Sequence, residues 1–163
     1  MRSPPTDRPI ALCGLPGAGK SSVGRALAAR LGWRFVDLDE QIVAASGRSI
    51  EEWFVDHGEP AFRSFEAEQL AASLAPHTVL ALGGGALGAP QSRAQVRRDA
   101  RLVWLQAAPG TLLRRLEPPA ERDARPLFKG GNLEERLGAL ATLRLDHYRV
   151  AELALATDDR AVE

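Results

Sequence analysis

Gly14-Leu15-Pro16-Gly17-Ala18-Gly19-Lys20-Ser21 is the stretch that decides the reading of this chain. It fits G-x-x-x-x-G-K-[ST], the phosphate-binding loop of nucleoside triphosphatases and kinases. Glycines let backbone N–H groups turn inward around phosphate oxygens, because no Cβ blocks the required angles. Lys20 offers a positive charge to the β- and γ-phosphates, and Ser21 offers its hydroxyl to Mg²⁺. Ile10-Ala11-Leu12-Cys13 reads as a short buried strand before the loop, and residues 22–31 read as a helix after it. Strand, loop and helix N-terminus form an anion site in advance of any ligand.

Outward from the loop, apolar runs alternate with helical patterns. Residues 34–39 (Arg-Phe-Val-Asp-Leu-Asp) predict a second strand with an acidic end. Short helices are expected over residues 40–46 and 50–57, stopped by Gly47 and Gly58. A longer helix over residues 60–74 has proline in its first turn. A buried strand over residues 78–82 leads into Gly83-Gly84-Gly85. Then come a helix around residues 90–99, a strand over 101–105, a helix over 111–116, a long helix from 133 to about 149 and a last strand over 153–156. Strands separated by helices predict an α/β fold, with a parallel sheet between two helical layers. Residues 117–131 are polar, proline-rich and basic, and read as a surface loop. With no repeat and no second composition block, residues 1–163 are expected to form one domain.

Bulk composition excludes several classes. Hydrophobic residues make up 45% and charged residues 26%, with a formal net charge of zero. That balance favours neither nucleic acid nor an anionic membrane as partner. The single cysteine, Cys13, cannot form an internal disulfide and suits a reducing compartment. Its place at the end of the first strand favours packing over reactivity. The first nine residues lack the apolar run of a signal peptide, and no segment approaches a membrane span. A cytoplasmic monomer is the expectation.

Four further features narrow the chemistry. Asp37 and Asp39 lie at the expected carboxyl end of the second strand, where ligands of parallel sheets bind. Residues two apart on a strand share a face, so both carboxylates can reach one cleft. One could hold a metal-bound water; the other could orient an acceptor hydroxyl or take its proton. Strand-end carboxylates are also common turn and cap residues. Gly83-Gly84-Gly85 allows close approach to backbone N–H groups. The strand before it carries no acidic residue, so Ser21 and Asp37 must supply more of a Mg²⁺ shell. Arg63 and Glu66, three apart, share a helix face beside Phe54, Phe62 and Phe65. An arginine beside aromatics can grip a carboxylate bidentately; the alternative is an exposed ion pair of little energetic weight. Finally, Arg122-Asp123-Ala124-Arg125-Pro126, with Arg114 and Arg115 before it, can close over phosphates.

Together and in this order, these elements resemble shikimate kinase. The resemblance runs from about residue 9 to 159. It is carried by GLPGAGKS, FVDLDEQI, GRSIEEWF, GEPAFRSFEAE, LGGGA, RPLF and DHYR. It implies a three-layer α/β/α fold with a five-stranded parallel sheet, a substrate-binding region at about 37–66 and a lid at about 114–131. It implies ATP and Mg²⁺ as cofactors and transfer of the γ-phosphoryl group to the 3-hydroxyl of shikimate, in aromatic amino-acid biosynthesis. By this match Gly17, Ala18, Gly19, Lys20, Ser21, Ser22 and Arg125 would bind the nucleotide, and Ser21 and Asp37 the metal. Asp39, Arg63, Gly84 and Arg149 would bind shikimate, with the two arginines on its carboxylate. Lys20, Asp39 and Arg125 would act in transfer, and Ile50, Phe54 and Phe62 would line the apolar side of the pocket. The lid segment matches loosely, so Arg114 or Arg115 could share its work. The family continues with a helix beyond the position of Glu163, which leaves adenine contacts around residues 158–160 open.

The competing readings are a gluconate or nucleoside monophosphate kinase, a GTPase switch and a silent nucleotide-binding module. DxD, GGG and paired arginines disfavour the first. The guanine-reading Asn-Lys-x-Asp is absent, since the only asparagine, Asn132, precedes Leu133. Lys20, Asp39, Arg63, Arg125 and Arg149 together disfavour the third.

Overall fold

A computed structural model describes residues 7–118 and 131–158. The strands are β1 (Ile10–Cys13), β2 (Arg34–Asp37), β3 (Thr78–Ala81), β4 (Arg101–Gln106) and β5 (Leu153–Ala156). The helices are α1 (Lys20–Leu31), α2 (Leu38–Ser46), α3 (Ile50–Ser73), α4 (Pro90–Asp99), α5 (Pro109–Leu116) and α6 (Leu133–Tyr148). All strand pairs are parallel, in the order β2-β3-β1-β4-β5. The five-stranded α/β/α architecture expected from the sequence is therefore present. No helix among the described residues is long and apolar enough to cross a membrane.

The central strands explain the layers. Side chains alternate across a strand, so a run buried on both sides feeds two cores. Ala11, Cys13, Leu80, Leu82 and Leu102 pack with Leu38, Ile42, Phe62, Leu70 and Val96 from α2, α3 and α4. Leu12, Val79 and Leu105 face the other way, onto Ala28 of α1, Leu112 and Leu116 of α5 and Leu137 of α6. Leu12, Leu80, Leu102 and Leu105 are at most 1% exposed, and burying such a side chain contributes roughly 1.5–3 kcal/mol. The order β2-β3-β1 sets the loops after three strands side by side at one edge. Leu82 N–H donates to the Leu12 carbonyl at 2.9 Å, carrying the β1–β3 pairing up to the loops themselves.

One element boundary differs from expectation, for a local reason. β2 ends at Asp37 and α2 begins at Leu38, so Asp39 lies in a helix's first turn and not on the strand. Asp37 caps that helix: its Oδ1 accepts from the N–H groups of Asp39 at 3.1 Å and Glu40 at 3.4 Å. The two helices expected over 50–57 and 60–74 are present and meet at a kink within α3. Non-helical Gly58 (φ 78°, ψ 167°) and Pro60 bend it where the sequence places a stop. Its start is fixed by a capping box between Ser49 and Glu52.

Gly24 in α1 is a packing requirement. A Cβ there would lie 2.4 Å from the Phe35 ring, closer than carbon atoms approach. Gly24→Ala is expected to destabilise the fold by about 1–3 kcal/mol through overpacking. Urea unfolding of the two proteins checks this, and an unchanged midpoint would count against it.

Candidate active site

The phosphate loop joins β1 to α1. Gly17 (φ 82°) and Gly19 (φ 98°) take backbone angles that side chains resist, which is why this loop needs glycine at both places. Lys20 turns back across the loop, and its Nζ donates to the carbonyls of Gly14 at 2.8 Å and Leu15 at 3.3 Å. Ala18 is buried at 1% exposure, whereas Ser22 is exposed. Ser21 Oγ donates to Asp37 Oδ2 at 2.7 Å, joining the loop's last residue to the end of β2. Asp37 divides its oxygens: Oδ1 caps α2 and Oδ2 meets the serine. Such a hydroxyl–carboxylate pair fits Mg²⁺, a hard cation that takes a few protein oxygens and fills its octahedron with water and phosphate.

Three consecutive glycines after β3 each face one charged side chain. A Cβ on Gly83 would lie 2.4 Å from Asp39 Oδ1. On Gly84 it would lie 2.3 Å from Arg144 Nη1, and on Gly85 2.4 Å from Arg63 Nη1. The triplet is thus a surface without side chains on which one carboxylate and two guanidiniums rest. Arg63 donates to Glu66 Oε2 at 2.7 Å, and its guanidinium lies 5.3 Å from the Phe62 ring centre and 5.9 Å from that of Phe54. Glu66 is 5% exposed, so this is not the exposed pair the sequence left open. A buried carboxylate with a fixed partner orients Arg63 and opposes its rotation. Ile50, Phe54 and Phe62 all belong to the apolar cluster beneath these side chains.

The structure turns Arg149, expected at the substrate, away from the glycine triplet and brings Arg144 of α6 to it. Arg149 follows the helix, is 68% exposed and pairs with Asp146 at 2.8 Å on the outer surface. Arg144 is half-buried against Gly84. Helical geometry accounts for the difference: Arg144 and Tyr148, four apart, share a face, and position 149 lies about 100° further round. Tyr148 is buried at 2%, so its face is the inward one. The sequence alone offers Glu66 only as a pair for Arg63 and does not single out Arg144. The spacing of Arg144 from Tyr148 was the signal available.

Two titratable groups beneath the loop stay neutral. Burial pushes the Cys13 thiol up to about 12, with Lys20 opposing. Burial likewise pushes Tyr148 up to about 12, against the opposing Arg144 cation. Cys13 therefore packs as expected and offers no thiolate at neutral pH. Of the basic segment, Arg114 Nη2 donates to Thr111 Oγ1 at 3.2 Å, while Arg115 turns inward to the Gly17 carbonyl at 3.0 Å. Arg125 lies outside the described residues, as do residues 159 and 160. Asp158 accepts from Ala108 N–H at 2.9 Å, and hydrogen bonding, first from Thr111, holds its carboxyl below the usual range.

Fold and cleft together define the class, a P-loop kinase, and comparison with known proteins narrows it. The family model for shikimate kinase matches residues 16–163. Shikimate kinase of Paramagnetospirillum magneticum is 45% identical over 157 residues, which cover 96% of this chain and 79% of that one. That of Geobacter metallireducens is 41% identical over 164 residues, covering 100% and 90%. The structure of shikimate kinase from Acinetobacter baumannii in complex with shikimate superposes with a TM-score of 0.87 at 34% identity, covering 96% of this chain and 87% of that one. A gluconokinase from Sinorhizobium meliloti, 20% identical with a TM-score of 0.55 over 93% of this chain and 83% of that one, shares the fold alone. The chain belongs to the shikimate kinase family of ATP-dependent kinases.

Gly83 gives a direct test of the glycine surface. Gly83→Ala would push the Asp39 carboxylate off its seat. Turnover is expected to fall by up to about 10²-fold, the scale of an ångström's misplacement of a reacting group, with the melting temperature nearly unchanged. Full turnover in a folded Gly83→Ala protein would show that Asp39 can move freely.

Proposed function

We propose that this cleft transfers the γ-phosphoryl group of ATP to the 3-hydroxyl of shikimate, giving shikimate 3-phosphate and ADP. The observation that carries the reading is the convergence of Asp39, Arg144 and Arg63 on Gly83, Gly84 and Gly85, beside the phosphate loop. Shikimate is a small ring with one carboxylate and three hydroxyls. Two guanidiniums on successive glycines suit the carboxylate. Asp39 suits a hydroxyl, with Gly84 offering backbone to another. The A. baumannii enzyme bound to shikimate supports the same acceptor here.

The roles then follow from chemistry. Gly17, Ala18, Gly19, Lys20, Ser21 and Ser22 surround the phosphates. Lys20 exchanges its carbonyl partners for phosphate oxygens, an exchange that conserves its hydrogen bonds. Ser21 and Asp37 would hold Mg²⁺, which would supply positive charge to the phosphates. Asp39 orients the acceptor hydroxyl and takes its proton as the oxygen attacks. Arg63 and Arg144 clamp the carboxylate, and Glu66 positions Arg63. Arg125, assigned by resemblance, meets charge on the transferring group. A cytoplasmic monomer is the simplest setting for this reaction.

A coupled assay for ADP release tests the whole reading. Release is expected only when shikimate is present; release indifferent to shikimate, or supported equally by gluconate, would defeat it. Three arginines give the sharper test. Arg63→Ala and Arg144→Ala are each expected to weaken shikimate binding by about 10–10²-fold, the scale of a lost charge-assisted bond, while sparing ATP. Arg149→Ala is expected to leave both affinities within about twofold. Calorimetry in which Arg149→Ala loses shikimate and Arg144→Ala does not would reverse the assignment.

A further inference from the structure

Arg115 and Thr157 have no part in the scheme above, yet both grip the phosphate loop from outside. Arg115, in the last turn of α5, donates from Nη1 to the Gly17 carbonyl at 3.0 Å and the Thr157 hydroxyl at 3.2 Å. Its Nη2 donates to the Thr157 carbonyl at 2.6 Å. The Thr157 hydroxyl lies 2.9 Å from the Ala18 carbonyl and 3.1 Å from that of Gln106. A hydroxyl has one proton, so it donates to one of these two at a time while accepting from Arg115. Thr157 is itself anchored, its N–H donating to the Gln106 carbonyl at 2.7 Å. Asp158 ties the same segment to the first turn of α5 through Ala108 N–H at 2.9 Å.

Peptide planarity carries these outer bonds to the inner side of the loop. In a trans peptide the carbonyl and the following N–H point in opposite directions. Holding the Gly17 carbonyl outward turns the Ala18 N–H the other way, onto the Leu15 carbonyl at 3.1 Å, which closes the turn. Holding the Ala18 carbonyl outward turns the Gly19 N–H toward the loop's concave side. Gly17 and Gly19, at φ 82° and 98°, are the residues about which peptide planes rotate most freely. The bonds from outside oppose that freedom.

We propose that Arg115 and Thr157 are positioning residues for the nucleotide's phosphates, fixing the two peptide planes that flank Ala18 and so pre-aiming the loop's N–H groups. The inference rests on the reading of residues 14–21 as the phosphate site, and the test separates the two. Inorganic tripolyphosphate, which has no base, is titrated calorimetrically into Thr157→Val, Thr157→Ser, Arg115→Met and Lys20→Ala proteins. Thr157→Val keeps the shape and removes the hydroxyl. It is expected to weaken tripolyphosphate about three- to tenfold, the range of one hydrogen bond, with shikimate affinity unchanged. Arg115→Met should lose a similar factor, and Thr157→Ser should restore parental affinity. If folded Thr157→Val and Arg115→Met bind tripolyphosphate like the parent while Lys20→Ala does not, the positioning role is overturned and the phosphate site stands. If Lys20→Ala also binds like the parent, the phosphate-site reading falls, and the inference with it. Should Thr157→Val fail to fold, Arg115→Met decides alone.

Discussion

The site depends on a steric constraint with an electrostatic purpose: three charged side chains rest on three consecutive residues that have none. Asp39, Arg144 and Arg63 come from α2, α6 and α3, of which α6 lies far from the other two in sequence. Each approaches the main chain to a distance that a single Cβ would forbid. Close approach to backbone removes water from one side of each group, which strengthens its interaction with a ligand arriving from the other. It also limits the group's freedom, so less is lost on binding. Glu66 completes the arrangement: buried beside Arg63, it compensates one of two neighbouring cations.

The sheet order makes this convergence possible. β3 lies between β2 and β1, so the glycine triplet opens between Asp37 and Asp39 on one side and the phosphate loop on the other. Parallel strands send all three loops to the same edge. Asp39, after β2, and Lys20, after β1, therefore stand on either side of β3, two strand spacings or about 10 Å apart. That order sets the residues proposed for acceptor and donor on the two sides of one cleft.

Most of the fold and about half of the site's logic were legible in the sequence, and the boundary between them is physical. The phosphate loop, the strands and α4 follow from local rules: glycine where φ is positive, apolar runs where both faces are buried, proline at a helix start. Asp39, Arg63 and the glycine triplet were visible as residues, but their mutual contacts are tertiary. That Gly83 seats Asp39 cannot be read from either segment alone. Asp39 was expected to reach the cleft by strand alternation; it reaches it from a helix's first turn because Asp37 caps that helix. The resemblance at DHYR points to Arg149, which adjoins Tyr148 in sequence, whereas a helix makes neighbours of Tyr148 and Arg144, four apart. The hold of Arg115 on Gly17 spans 98 residues and leaves no local trace.

Asp37 illustrates why structural and functional readings of one residue need not compete. A strand-end carboxylate serves either as a helix cap or as a metal ligand if it has one oxygen to give. This one has two, and they point apart: Oδ1 to the N–H groups of α2, Oδ2 to Ser21. The cap fixes the carboxylate's rotation, which a ligand for Mg²⁺ needs, since that ion demands near-ideal octahedral geometry. The same cap sets the first turn of α2 and thereby the place of Asp39. In the proposed scheme one side chain thus couples the metal end of the cleft to its acid–base end, and a change at Asp37 would move both. Thr157 does the analogous work on the opposite flank. The phosphate loop is consequently braced from two sides, by β2 through Ser21 and by the end of β5 through Ala18. A loop held this way meets its ligand with its dipoles already oriented, so little reorganisation remains for the moment of transfer.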